Sequence, residues 1–445
     1  MQTVAPSSVN YANQLPLGIE SKSHRRLFFP STGDAYKPSG TNICRIDINY
    51  DGMLDTSQSY LMFDLKNTTT KKIKLDGSQP VISRLTISSG GVVLEDIMNY
   101  NHLVNGILVP SQGGSGNIHH DNFNLGVDNQ QTNNEPGFGT TGKLIRHASN
   151  SGGQTRANGT GVIDAGDSYK MCYKLVSGLM DNDKYLPMVL LNSGLTLSFE
   201  ICSANELAVT EHGDPVALDY QISAVRYVAH LIDLERGFYD RLRSVQQASG
   251  GMLTIAGTSF RSYTANIAAA NENTINIPAR VRSIKSVFWK LSTAATNTQY
   301  TLSTGCHAHI SEYQLKIGAS NYPPTAVNVN AKSNKIEPYL ELQKAFGKLG
   351  STVHSDMLGA ASYLTLETTP AAQNQSGTIG FAPFGIDLEA FRHEIENGIN
   401  TSERALPMSL LLKHSATPTA ATAHIFVMYD AMFYVDMSGA VTVSS

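Results

Sequence analysis

The hexapeptide Leu186-Pro187-Met188-Val189-Leu190-Leu191 recurs 220 residues later as Leu406-Pro407-Met408-Ser409-Leu410-Leu411, in a chain of 445 residues. A second landmark recurs at a similar spacing. Ile82-Ser83-Arg84-Leu85, ahead of Gly90-Gly91, has a counterpart in Ile310-Ser311-Glu312-Tyr313, ahead of Gly318, at an offset of 228. Matching landmarks in the same order imply that one unit occurs twice in tandem. A period this long is a duplicated domain, since solenoid repeats run to about 20–50 residues. The chain length also suits two domains of about 200 residues each.

The units read as β-rich. Cys44, Ile46, Ile48 and Tyr50 alternate with Arg45, Asp47 and Asn49, and Leu195, Leu197, Phe199 and Ile201 alternate with Thr196, Ser198 and Glu200. Such period-two patterning marks strands with one buried face. Charged residues make up 16% of the chain, below the roughly 25% of ordinary domains, so long solvated helices are not expected. Three segments carry helical spacing: Leu94 to Leu108, Leu234 to Gln247, and a third with Pro338 near its first turn and Gly350 after its end. The reading divides the chain into an N-terminal arm over 1–40, a first unit over 41–230, a connecting helix over 231–250 and a second unit over 251–445. A polar, Gly- and Asn-rich excursion fills 110–167 of the first unit, with softer counterparts at 293–305 and 351–377. Many short strands with one inserted helix per unit are the profile of an all-β fold of two eight-stranded jelly rolls.

Several chemistries are suggested and then fail. Gly137 to Lys143 satisfies two phosphate-loop patterns, but Leu144 stands where a Mg²⁺-ligating hydroxyl is needed and no apolar strand precedes the loop. His119-His120-Asp121 and Cys306-His307-Ala308-His309 resemble metal fragments. His307 and His309 on a strand would share a face with Glu312 nearby, yet no third histidine completes a site. Asp387, Glu389, Glu394 and Glu396 surround a short turn and offer paired carboxylates of the kind that hydrolyse glycosides. The four cysteines form no C-x-x-C pair and read as buried thiols. No run of 18 apolar residues occurs, so neither a signal peptide nor a membrane span is expected. No metal or cofactor is called for. A net charge of −4 argues against coating nucleic acid over the whole surface, but leaves room for the basic cluster Lys22, Arg25 and Arg26.

The strand, Gly-Gly turn and segment Val92-Val93-Leu94-Glu95-Asp96-Ile97-Met98-Asn99-Tyr100-Asn101-His102-Leu103 resemble the first jelly roll of double-jelly-roll major capsid proteins of double-stranded DNA viruses. The likeness is to polinton-like viruses and virophages, with more distant kinship to the nucleocytoplasmic large DNA viruses. The stretch from Lys184 to Glu200 resembles the strands closing that family's first domain, and Ile386-Asp387-Leu388 and Ala423 to Asp430 resemble its C-terminal strands. The resemblance implies a non-enzymatic structural protein of the virion. It implies a homotrimer that forms a pseudo-hexagonal capsomer, tiles an icosahedral shell and contacts minor capsid or penton proteins. It also implies an inward-facing arm in which Lys22, Arg25 and Arg26 meet the genome or internal partners. Two other readings stay open. One is a two-domain jelly-roll hydrolase acting on glycans or glycoproteins, with Asp387 and Glu389 or Glu394 as its carboxylates. The other is a carbohydrate-binding protein with Trp289 as its aromatic platform.

Overall fold

The computed structural model describes residues 20–70, 73–75, 81–112, 162–163, 165–210, 219–293, 302, 305–349, 358, 363–368, 381–391, 394–403 and 406–444. Eight principal strands build each half. In the first half they are β1 (Ser21–Phe28), β2 (Ile43–Ile48), β3 (Met53–Asn67), β4 (Ile82–Ser89), β5 (Val92–Met98), β6 (Ser168–Tyr173), β7 (Leu195–Ile201) and β8 (Tyr220–Leu234). In the second half they are β9 (Met252–Ile267), β10 (Glu272–Ile277), β11 (Ile284–Thr293), β12 (Ile310–Ile317), β13 (Ser320–Asn328), β14 (Pro383–Asp387), β15 (Met408–His414) and β16 (Ala421–Asp436).

All pairings among these strands are antiparallel, and the order is the same in both halves. One sheet runs β1-β8-β3-β6 and faces β2-β7-β4-β5; the other half has β9-β16-β11-β14 facing β10-β15-β12-β13. First pairs with eighth, eighth with third and third with sixth, which is the winding of a jelly roll. The fold is therefore two tandem eight-stranded jelly rolls, as the patterning predicts. Alternation explains the faces. In β2, Cys44, Ile46 and Ile48 are buried while Ile43, Arg45 and Asp47 are exposed. In β7, every odd position from Leu195 to Ile201 is buried. The two cores merge into one continuous apolar cluster across the halves.

Among the described residues, three longer helical segments complete the frame. α1 (100–112) joins an α turn, Tyr100–Leu103, to a π turn, Val104–Leu108, and a second α turn, Val109–Gln112. α2 (Arg236–Ala248) links the rolls, and α3 (Ile336–Ala345) follows β13. α1 and α3 thus occupy the same topological place, after the fifth strand of each roll.

Four expectations need correcting. Residues 21–28 are not part of an arm: they form β1, paired residue for residue with β8 from Ser21↔Leu234 to Phe28↔Tyr227. The first roll accordingly starts before residue 41, and its last strand runs to Leu234. Leu94 to Met98 is strand, not helix, because Leu85 and Arg84 pair with Ile97 and Met98 across the Gly90-Gly91 turn. Both glycines have positive φ, 57° and 85°, a conformation that side chains with a Cβ resist.

The fourth correction concerns the hexapeptides. Leu186 and Pro187 pair with Leu54 and Met53 on the edge of β3, and Met188–Leu190 forms a 3₁₀ turn. Met408 to Leu411 instead lies inside β15. The two copies are not equivalent. β4 and β12 are equivalent: Ser88 pairs with Thr196 and Lys316 pairs with Ser409. That places the seventh strands 213 residues apart, so the hexapeptide match is seven residues out of register. One of the two landmarks that pointed to the duplication is a coincidence of apolar composition.

Candidate functional site

The residues singled out for chemistry are scattered. Gly137 to Lys143 and His119-His120-Asp121 lie outside the described residues, as do most of 110–167 and 351–377. His307 and His309 do not share a strand face. Ala308 and His309 have positive φ, 44° and 57°, in a turn that ends where β12 begins. Burial pushes the His307 imidazole down to about 4, despite Glu367 nearby. No group of three potential metal ligands occurs among the described residues. Trp289 is fully buried, stacked on Phe384 at 5.5 Å and edge-on to Tyr313 at 4.9 Å, so it offers no platform to a sugar.

Part of the carboxylate cluster is engaged by a lysine. Lys285 Nζ lies 3.0 Å from Glu389 and 3.4 Å from Asp430. Asp430 also accepts from Ser283 Oγ at 2.7 Å and from the Glu396 backbone N–H at 3.0 Å. Burial pulls the Lys285 ammonium down, but Glu389 and Asp430 outweigh it and hold its pKa above the usual value. Asp387 accepts the backbone N–H of Glu389. These groups tie down the loop after β14 rather than flanking a cleft.

Lys22, Arg25 and Arg26 all lie on β1 with exposed side chains. Arg26 sits 5.1 Å over the Phe28 ring. Beside them, His24 Nδ1 is 3.6 Å from Asp233, which also accepts the Tyr50 hydroxyl. The strand pairs with β8 on one side only, so its other backbone edge is unpaired within the described sheet.

The densest polar chemistry lies between the two rolls. Glu95 on β5 is buried, yet it accepts Ser177 Oγ at 2.5 Å and the backbone N–H groups of Gly178 and Leu179 at 2.8 and 3.0 Å. Its fourth donor is Ser259 Oγ at 2.5 Å, from β9 of the other roll. A buried carboxylate is tolerated only with such compensation. Around it, Asn182 donates to Ala256 O at 2.8 Å, and Asn99 donates to Ser262 and Thr264 at 3.0 Å each. Gly257 faces Gly178 so closely that any Cβ would strike that backbone. These contacts run along β9 and fasten it to the first roll.

The outer face of β11 forms the other half of the seam. Its odd residues Val287, Trp289 and Leu291 fill the core. Its even residues Ser286, Phe288, Lys290 and Ser292 point outward and are buried all the same. α3 covers one end: Phe288 stacks on Phe346 at 4.4 Å, and Ser286 Oγ donates to Ala345 O at 2.9 Å. α1 of the first roll covers the other end. A Cβ on Gly106 would fall 2.6 Å from Lys290 Cδ, so a larger residue there would force the lysine side chain to shift. Lys290 donates to Leu302 O and pairs in register with His424 of β16. His424 stacks on His102 of α1 at 4.0 Å and 12°. Asn101 donates to Glu206 at 3.2 Å, and Lys290 acts on Glu206 electrostatically.

Sequence reasoning passed over this seam. The available signal was a lone polar residue inside an otherwise apolar strand: Lys290 in Val287-Phe288-Trp289-Lys290-Leu291, and His424 in Ala423-His424-Ile425-Phe426-Val427. A strand buried on both faces has nowhere wet to put such a residue, so it must be set against a polar partner.

No protein-family model matches this sequence, and no curated protein does. Solved structures do. The chain is similar to the Faustovirus major capsid protein at a TM-score of 0.60 and 7% identity, over 95% of this chain and 92% of that one. It is similar to the capsid of the virus PBCV-1 at 0.56 and 10%, over 98% and 99%. It is similar to the mavirus major capsid protein at 0.52 and 10%, over 100% and 96%. Identities this low carry the fold alone. Paired sheets of identical winding in both halves, aligned with these structures over nearly the whole chain, make this a double-jelly-roll protein.

Proposed function

We propose that this chain is the major capsid protein of a double-stranded DNA virus. Three copies form a pseudo-hexagonal capsomer, and capsomers tile an icosahedral shell. The observation that carries the reading is full-length correspondence to capsid proteins in both rolls, with neither roll left over for another task. The fastened seam supports it physically. A building block that must present fixed edges to several neighbours needs two barrels held as one body, and Glu95 with its four donors holds them. Minor capsid or penton proteins would meet the capsomer edges. Lys22, Arg25 and Arg26 on β1 form the basic feature that would face the genome or internal partners, through salt-dependent phosphate contacts.

The hydrolase reading has less support. Glu389 is held by Lys285, which also pairs with Asp430, so this carboxylate is engaged in a structural ion pair. No helix of the described residues is long and apolar enough to cross a membrane.

The test is the mass of the purified protein in solution, followed by electron microscopy. A trimer with hexagonal outline is expected, with an interface above the roughly 2,000 Å² at which obligate interfaces begin. A protein that stays monomeric at micromolar concentration would overturn the capsomer reading.

A further inference from the structure

The stacked imidazoles at the seam join elements that share no sheet. His102 belongs to α1 of the first roll, and His424 belongs to β16 of the second. Both are buried, with ring planes 12° apart. Nδ1 of His424 is buried without a hydrogen-bond partner among the described residues. Among the described residues, the charged group acting on both rings is Lys290 from β11; Glu206, in the turn Ala204–Leu207, is linked to the pair through Lys290 and through Asn101, the chain neighbour of His102. A proton added to either ring therefore lands beside an ammonium.

We propose that the stacked imidazoles form a proton-operated latch between the two jelly rolls, which opens the seam on acidification without unfolding either barrel. The latch is a property of this chain's own seam and holds whether or not the chain builds a capsid.

The sign follows from the surroundings. Burial holds both imidazoles neutral in the closed seam, His102 well below its usual range and His424 down to about 3, with Lys290 adding to both effects. Once the seam opens, water reaches the rings and they titrate near about 6.5. The closed state thus binds fewer protons than the open one. Its advantage is complete above about pH 6.5 and is lost progressively as pH falls toward the closed-state values. Glu206 works in the opposite sense. Burial raises its pKa, against the Asn101 hydrogen bond and Lys290, so acid favours its closed form. Two imidazoles against one carboxyl leave a net uptake of protons on opening, approaching at least about one as the exposed rings become fully charged near about pH 5.

Local opening at the seam can be read by amide hydrogen exchange, corrected for the intrinsic pH dependence, at 100–108, 286–292 and 421–427. Protection there should fall by at least about tenfold per pH unit between about pH 6 and 5. Strands β2 and β10, which pair with neither β11 nor β16, should keep theirs. His424→Phe preserves an aromatic stack without a titrating ring, and should lessen the loss by about tenfold per unit. Glu206→Gln should steepen it. Seam protection that does not change from pH 7 to 5 in the unaltered protein overturns the latch. So does a His424→Phe protein with the unaltered slope. The unaltered chain carries the first test even if a variant fails to fold.

Discussion

The third strand of each jelly roll occupies the same place in its sheet, and the two lead different lives. On β3, Leu61, Phe63 and Leu65 face the core while Tyr60, Met62 and Asp64 are half-exposed and Lys66 is exposed. On β11, nine of ten residues from Ile284 to Thr293 are buried on both faces. The cause is what lies outside. α3 and α1 both dock on the outer face of β11, one from its own roll and one from the neighbour. β3 is instead broken by a local excursion: Asp55 accepts the N–H groups of Ser57 and Gln58, and the register with β8 slips between Val228 and His230. The second roll is thus the platform on which the first is seated, and symmetry of winding does not bring symmetry of burial.

The largest effect expected from this contrast is at the platform's centre. Trp289→Ala should cost about 4 kcal/mol, the upper range for deleting a fully buried aromatic, measured by chemical denaturation. A cost below about 1 kcal/mol would mean that β11 is not the packed spine described here.

The ion pairs beside the two strands sharpen the comparison further. Lys285 sits in the buried network with Glu389 and Asp430, so Lys285→Ala should cost about 3 kcal/mol by stranding two carboxylates. The seam itself comes next. Glu95→Gln keeps the shape but presents an amide to four donors, and should cost about 2 kcal/mol. Because Ser259 is one of the four, Ser259→Ala should be less damaging in the Glu95→Gln background than alone. Additive effects would show that Glu95 does not couple the rolls. The smallest effect belongs to the half-exposed pair on the first roll. Lys170 lies 2.6 Å from Asp64, and Lys170→Ala should change stability by less than about 1 kcal/mol, and by less still in high salt.

The sequence was readable where a strand's own residues decide its place. β2 and β7 alternate cleanly because one face is wet. β4 and β12 end in glycines whose positive φ the turn requires, and their offset of 228 is the true repeat. β1 was missed because Ser21 to Leu27 are all exposed, so no alternation marks them. What makes them a strand is backbone pairing with β8, some 200 residues on. β5 was read as helix because Leu94 and Ile97 have helical spacing and run into a segment, Val104 to Leu108, that is helical. The hexapeptide misled for a related reason: Leu-Pro-Met-x-Leu-Leu satisfies an edge strand with a 3₁₀ turn as well as it satisfies β15. Lys290 in its apolar run signals only that some partner must cover it; which surface arrives from the other roll, and that Glu95 is buried by it, no local pattern records.

α2 has a consequence of another kind. It crosses from the end of β8 to the start of β9 with Gln246 as its one buried residue, whose Nε2 bonds Val435 O at 2.9 Å. Gly250 and Gly251 follow it, both at positive φ. The helix therefore acts mainly as a tether, and a tether this short holds its ends at an effective concentration on the order of millimolar. Contacts that would leave two separate proteins mostly dissociated can keep two tethered ones together. Cleaved at Gly250, the halves would have to find each other by mass action, and the seam's unaided affinity would become a measurable dissociation constant.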